Sequence, residues 1–151
     1  MPKPARKSQP PNSPGARYAL EDQAGFLLRQ VHQRHTSIFA SRIGHDLTPT
    51  QWAALAKLLD AGPCSQNLLG RLTAMDAATI KGVVDRLVRR DLAAARPDPS
   101  SRRRLLVELT PAGRELASHL LGDALRITEE TLAPLSPPEQ ETFLMLLKKL
   151  R

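Results

Sequence analysis

Apolar residues along the chain recur mostly at helical spacing. From Tyr18 to about Ile43, Leu20, Leu27, Val31, Ile38 and Phe39 predict a first long helix. From Asp76 to Arg90, Ile80, Val83, Val84, Leu87 and Val88 follow an i, i+3, i+4, i+7, i+8 stripe, which predicts an amphipathic helix. Near the end, Leu116, Leu120, Leu121, Leu125 and Ile127, then Phe143, Leu144, Leu147 and Leu150, predict two more. The period changes between Leu92 and Thr110. Ala93 to Arg96 and Leu105 to Leu109 predict two strands. Pro97 to Ser101 supplies turn chemistry, and Arg102, Arg103 and Arg104 fall at the tip.

Capping residues set the helix starts. Thr48-Pro49-Thr50-Gln51 is a capping box with proline at the first helical position, and Ser136-Pro137-Pro138-Glu139 repeats it. Thr110-Pro111 opens another helix; Ser65 and Asp76 are good N-caps for two shorter ones, and Gly62-Pro63 ends the helix that begins at Pro49. The predicted fold is mostly α: four helices, a two-stranded β-hairpin, a long helix and a final helix. The expected segments are a disordered basic arm over 1–17, a helix over 18–46, a unit over 47–110 and C-terminal helices over 111–151.

Composition narrows the functional classes. At 151 residues with 41% apolar content a core is feasible, but with 3% aromatics it must rest on Leu, Val, Ile and Ala. No apolar run approaches the roughly 20 residues of a membrane span, and no hydrophobic stretch follows the basic N-terminus as in a signal peptide. The lone Cys64 excludes an internal disulfide and fits a cytoplasmic location.

The net charge of +7 is unevenly spread. Residues 1–17 hold four basic and no acidic side chains with five prolines, and 71–104 hold nine basic against four acidic. The arm either touches phosphates or only aids solubility. The central cluster coincides with the amphipathic helix, so a polyanionic partner is the better reading over a solvated basic face. The exposed side of that helix carries Ala78, Thr79, Lys81, Gly82, Asp85, Arg86, Arg89 and Arg90. Small residues followed by long cations suit a helix whose first half enters a major groove. Gly82 weakens the helix by roughly 1 kcal/mol, which is understandable where DNA must approach closely. The short helix from Ser65 to about Leu72 and the Thr73-Ala74-Met75 connection complete a helix-turn-helix, and the arginine-tipped hairpin forms a wing able to reach the minor groove.

Taken together, Leu47 to Trp52, the Ser65-Gln66 helix, Asp76 to Leu92, Arg96 to Pro99, Arg102-Arg103 and Val107 to Gly113 resemble the MarR family over nearly all of residues 20–151. The resemblance implies a winged helix-turn-helix homodimer with interleaved terminal helices. It implies a pseudo-palindromic duplex operator and repression relieved by a small ligand. The DNA contacts it implies are Ser65, Gln66, Ala78, Thr79, Lys81, Gly82, Arg86, Arg102 and Arg103, with Arg103 in the minor groove. The chain departs from the family pattern at two places. Ser101 stands where an Asp precedes the wing arginines, leaving Asp98 as a substitute, and Asp91 stands where a Gly follows the recognition helix.

The leucine-rich last helices predict a dimer interface shared with the first helix, intramolecular burial being the alternative. Arg29, His32 and His35, at i, i+3 spacing, continue into Phe39 and lie near Trp52. That set suits a small aromatic carboxylate, although these residues could equally be solvated or make dimer hydrogen bonds. Related regulators of aromatic catabolism use an arginine and a histidine at positions matching Arg29 and His35. Tyr18 to Thr36 together with Pro63 to Asn67 resembles repressors of nicotinate degradation, which implies a hydroxylated pyridine carboxylate effector. Three other readings compete. Cys64, just ahead of a helix, could be a redox switch or a buried structural thiol. His32, His35 and His45 provide an incomplete metal set. A DNA-binding protein without effector would lack sequence preference. No phosphate loop, nucleophile motif or carboxylate pair points to an enzyme, and no cofactor is expected.

Overall fold

The structure, a computed structural model, describes residues 17–44 and 46–151. Almost all of the predicted basic arm, and His45, lie outside the described residues. The described residues fall into two units, divided between Gln33 and Arg34. The elements are α1 (Ala24–Ile43), α2 (Pro49–Ala61), β1 (Cys64–Ser65), α3 (Gln66–Leu72), α4 (Ala77–Arg89), β2 (Ala93–Asp98), β3 (Ser101–Leu109), α5 (Pro111–Leu132) and α6 (Pro137–Lys149). A 3-10 turn, Leu20–Asp22, precedes α1, so the helix predicted from Tyr18 begins at Ala24. The first unit leaves Tyr18, Leu20, Leu27, Leu28 and Val31 exposed.

The helix starts are those that the caps predict. At α2, the Thr48 Oγ1 accepts from Gln51 N at 3.2 Å, and the Gln51 Oε1 accepts from Thr48 N at 3.1 Å. Ser65 Oγ accepts from Leu68 N, Asp76 Oδ1 from Thr79 N and Thr110 Oγ1 from Gly113 N, at 3.2, 2.7 and 3.0 Å. Each bond satisfies an amide that the helix itself leaves without an acceptor. At α6, Ser136 N donates to Glu139 Oε2.

The sheet corrects the two-strand expectation: it has three antiparallel strands in the order β1-β3-β2. The additional strand is Cys64–Ser65, paired with Val107 and Leu106. Two residues carry no readable alternation, so only their pairing reveals them as a strand. The hairpin is also longer than predicted, with only Pro99 and Ser100 between β2 and β3. Its register runs from Ala93↔Leu109 to Pro97↔Leu105, then jumps to Asp98↔Ser101. Arg102, Arg103 and Arg104 therefore face no residue of β2 and form a bulge within β3 rather than the turn. Pro97 has no N–H to donate, which accounts for the ladder breaking there.

One core serves the second unit. Phe39 and Ile43 of α1, Leu55 and Leu58 of α2, Leu69 of α3, Ile80, Val83 and Leu87 of α4, Val107 of β3, and Ala117, Leu120 and Ile127 of α5 all belong to it. The segment 47–110 thus shares its core with the helices on both sides, which ties the orientation of α4 to them.

Candidate DNA-reading surface and effector residues

The turn between α3 and α4 is set by backbone geometry. Met75 N donates to Gly70 O at 2.8 Å and Ala74 N to Arg71 O at 3.4 Å, with Ala74 at φ +55°. This is a Schellman ending with alanine at the left-handed position. A Cβ on Gly70 would lie 3.1 Å from Met75 O and 3.2 Å from Ile80 Cγ2, so glycine allows α3 to cross close to the start of α4. The other end of α4 repeats the motif. Leu92 N donates to Leu87 O at 2.9 Å and Asp91 N to Val88 O at 3.0 Å, with Asp91 at φ +55°. Aspartate tolerates this region better than most residues, so the family's glycine is replaced without loss of the motif. Thr110 then joins this corner to α5: its Oγ1 donates to Asp91 O at 2.6 Å and its N to Leu92 O at 3.2 Å.

Helix α4 buries Ile80, Val83, Val84 and Leu87 and turns the remaining side outward. Ala78, Thr79, Lys81 and Arg86 are exposed and Gly82 half-buried. A Cβ on Gly82 would meet nothing within 4 Å, so no contact inside the chain demands glycine there. Lys81 Nζ lies 2.7 Å from Asp85 Oδ2, which holds that carboxyl below its usual range. Ser65 caps α3 and Gln66 is half-buried at its first turn. In the wing, Arg102, Arg103 and Arg104 are all exposed. Asp98 Oδ1 accepts from Ser100 N at 2.8 Å and Ser100 Oγ at 2.7 Å, and these bonds, with lesser help from Arg104 and Arg96, keep its carboxyl below the usual range. Asp98 thus stiffens the turn, and the arginines whose charge it feels are Arg104 and Arg96. Arg96 Nε itself bonds Glu108 Oε2 at 2.6 Å across the hairpin.

The expected effector residues divide between the units. In the first, Arg29 and His32 are exposed, and the Arg29 guanidinium lies 5.4 Å from the centroid of the Phe26 ring. In the second, Phe39 is a core residue and Trp52 packs partly buried against that core. His35 Nδ1 lies 3.0 Å from Thr131 Oγ1. Beside it, Arg34 Nη2 donates to Glu130 O at 2.7 Å and Arg42 pairs with the Glu130 carboxylate. This clasp between the latter half of α1 and the end of α5 joins residues about ninety positions apart, so no local pattern announces it.

Cys64 lies on β1 and is buried, which pushes its thiol pKa up. That is the opposite of the thiolate-stabilising setting expected of a reactive cysteine. Among the described residues, no group of three or more His, Cys, Asp or Glu is placed to hold a metal ion, and no helix is long and apolar enough to cross a membrane.

Comparison with known proteins accords with this architecture. The MarR family model matches residues 45–104. The chain is 39% identical over 149 residues to the HTH-type transcriptional repressor NicR of Pseudomonas putida, covering 97% of this chain and 94% of that protein. A probable transcriptional regulator from Pseudomonas aeruginosa superposes with a TM-score of 0.83 at 57% identity, covering 88% of this chain and all of that one. The structure of Bordetella bronchiseptica BpsR, whose DNA binding is regulated by 6-hydroxynicotinic acid, superposes at 0.85 with 40% identity, covering 89% of this chain and 97% of that one. With the order of elements, the arginine-bearing wing and full-length likeness in agreement, this chain belongs to the MarR family of helix-turn-helix transcriptional regulators.

Proposed function

We propose that this protein is a homodimeric repressor that binds a pseudo-palindromic duplex site and is released by a small aromatic acid of the hydroxylated pyridine carboxylate class. The observations that carry the DNA reading are the outward face of α4 and the exposed arginine bulge of β3. Ala78, Thr79, Lys81, Gly82 and Arg86 approach base edges and phosphates, with Ser65 and Gln66 at the start of α3 and Arg102 and Arg103 as wing contacts. The empty space around Gly82 supports close approach by DNA. Dimerisation is supported by α6, which buries none of its residues and leaves Leu144, Met145, Leu146 and Leu150 exposed, and by Leu125 of α5, 70% exposed. A second copy is the occupant that two DNA readers one helical turn apart require.

The effector class rests on likeness to NicR and BpsR, together with the guanidinium and imidazole groups of Arg29, His32 and His35. Arg29 is the carboxylate partner in this reading and His35 a ring contact. The deciding experiment measures binding to the DNA upstream of the protein's own gene, with 6-hydroxynicotinate and unsubstituted aromatic acids as probes. Arg86→Ala and Arg103→Ala should each weaken DNA binding tenfold or more, on the order of 1–3 kcal/mol per base contact. Arg29→Ala should bind DNA normally but no longer respond to the acid. Unchanged DNA affinity in both arginine variants removes the DNA assignment. Acids that stabilise the protein without changing its DNA affinity remove the effector assignment.

A further inference from the structure

The latter half of α1 meets the last turn of α5 through polar side chains. Glu130 and Thr131 are adjacent there, just before the helix ends at Leu132. The helical partner of Glu130 O would be Pro134, which has no N–H, and only a long bond of 3.4 Å from Ala133 N reaches that carbonyl from its own chain end. Arg34 Nη2 fills the gap, donating to Glu130 O at 2.7 Å. Arg42, two turns beyond His35 on the same side of α1, pairs with the Glu130 carboxylate. These two anchors hold the helices in place where His35 Nδ1 lies 3.0 Å from Thr131 Oγ1.

The chemistry of that bond assigns the ring proton. A hydroxyl brings one hydrogen and two lone pairs, and a neutral imidazole brings one N–H and one bare nitrogen. Thr131 Oγ1 has no other hydrogen bond among the described residues, so His35 Nδ1 is the acceptor within reach of its hydrogen. With Nδ1 accepting, the ring proton sits on Nε2. That nitrogen bonds to no group among the described residues, and His35 is half-buried, so a donor on a fixed ring is left for a ligand.

We propose that Thr131 is a positioning residue that holds neutral His35 as an Nε2–H donor, and that this donor selects aromatic acids bearing a ring oxygen over those without one. The inference rests on the reading of His35 as an effector contact given above. A hydroxypyridine carboxylate supplies the acceptor, because its hydroxyl proton can move to the ring nitrogen and leave a carbonyl oxygen. The unsubstituted acid carries only hydrogen at that carbon, so the imidazole N–H would lose its partner on binding.

The test uses the full-length protein with Thr131→Val, Thr131→Ser and His35→Ala. Valine keeps the shape of threonine and removes its hydroxyl, whereas serine keeps the hydroxyl. In the first arm, calorimetry gives the Kd for nicotinate and for 6-hydroxynicotinate, and their ratio measures discrimination. Thr131→Val lowers the ratio by roughly three- to tenfold, the worth of one hydrogen bond, and Thr131→Ser restores it. In the second arm, nitrogen-15 NMR of the histidine rings is recorded well above the ordinary histidine pKa of about 6.5, with His35 assigned by its loss in His35→Ala. The wild type shows the His35 proton on Nε2 and a hydrogen-bonded Nδ1, and the Nδ1 signal moves in Thr131→Val. A wild-type ratio in Thr131→Val, where His35→Ala has lost discrimination, overturns the role of Thr131 and leaves His35 an effector contact. A ring proton on Nδ1 overturns the donor assignment. His35→Ala binding both acids as the wild type does removes the effector reading of His35, and this proposal with it.

Discussion

Gly113 stands in the first turn of α5, directly against the corner where α4 hands over to β2. A Cβ built on it would lie 1.8 Å from Leu92 O and 2.8 Å from Leu92 C. Both are backbone atoms, so no rotamer change relieves the clash, and the two segments must part by more than 1 Å. That movement strains the Thr110 N to Leu92 O bond at 3.2 Å and the Leu92 N to Leu87 O bond at 2.9 Å that closes α4. Overpacking of this sort costs about 1–3 kcal/mol, and more where backbone must shift, while alanine returns about 1 kcal/mol of helix propensity. Taking the upper end of that cost, Gly113→Ala should therefore lose about 2 kcal/mol. The comparison is Gly82→Ala, also inside a helix but with nothing within 4 Å of the added carbon. It should gain about 1 kcal/mol. In thermal unfolding at fixed protein concentration, the two variants should move apart by about 10 °C, Gly113→Ala downward and Gly82→Ala upward. Gly113→Ala within about 0.5 kcal/mol of wild type would refute the close packing of the α4 corner under α5.

Ala74→Gly should stabilise the protein by about 0.5–1 kcal/mol in denaturant unfolding, because alanine at φ +55° bears a Cβ penalty that glycine lacks. Asp91→Gly should gain less, since aspartate accepts the same conformation more readily. Asp76 has its carboxyl pKa lowered, chiefly by the Thr79 N–H, so the unfolded chain binds its proton at higher pH than the folded one. Its contribution is full above the ordinary aspartate pKa of about 3.9 and disappears as pH falls through the lower folded value. Asp76→Asn keeps a capping oxygen and should flatten that part of the acid unfolding curve; a curve superimposable on wild type contradicts the cap. Because the Cys64 thiol is buried and its pKa raised, peroxide should leave DNA binding by the wild type intact, as a gel-shift titration would show.

Local rules carried much of this protein. Thr48, Ser65, Asp76 and Thr110 each mark a helix start because a side-chain oxygen reaches an amide only three residues away, and that relation is written in adjacent sequence. The buried stripe of α4 was equally legible, since 3.6-residue periodicity separates Ile80, Val83, Val84 and Leu87 from the cations between them. Tertiary structure decided what depends on distant partners. Cys64 and Ser65 are a strand only because Val107 and Leu106 lie beside them, and Arg102 to Arg104 form a bulge only because the register breaks opposite Pro97. Phe39, on the stripe read as an effector wall, belongs to the core, and His35 meets a threonine 96 residues away. Gly113 looks like any helix glycine until the carbonyl of Leu92 is placed against it. Caps and periodicity act within one or two turns of chain, whereas strand pairing, clasps and close approaches are set by where the whole core brings remote backbone together.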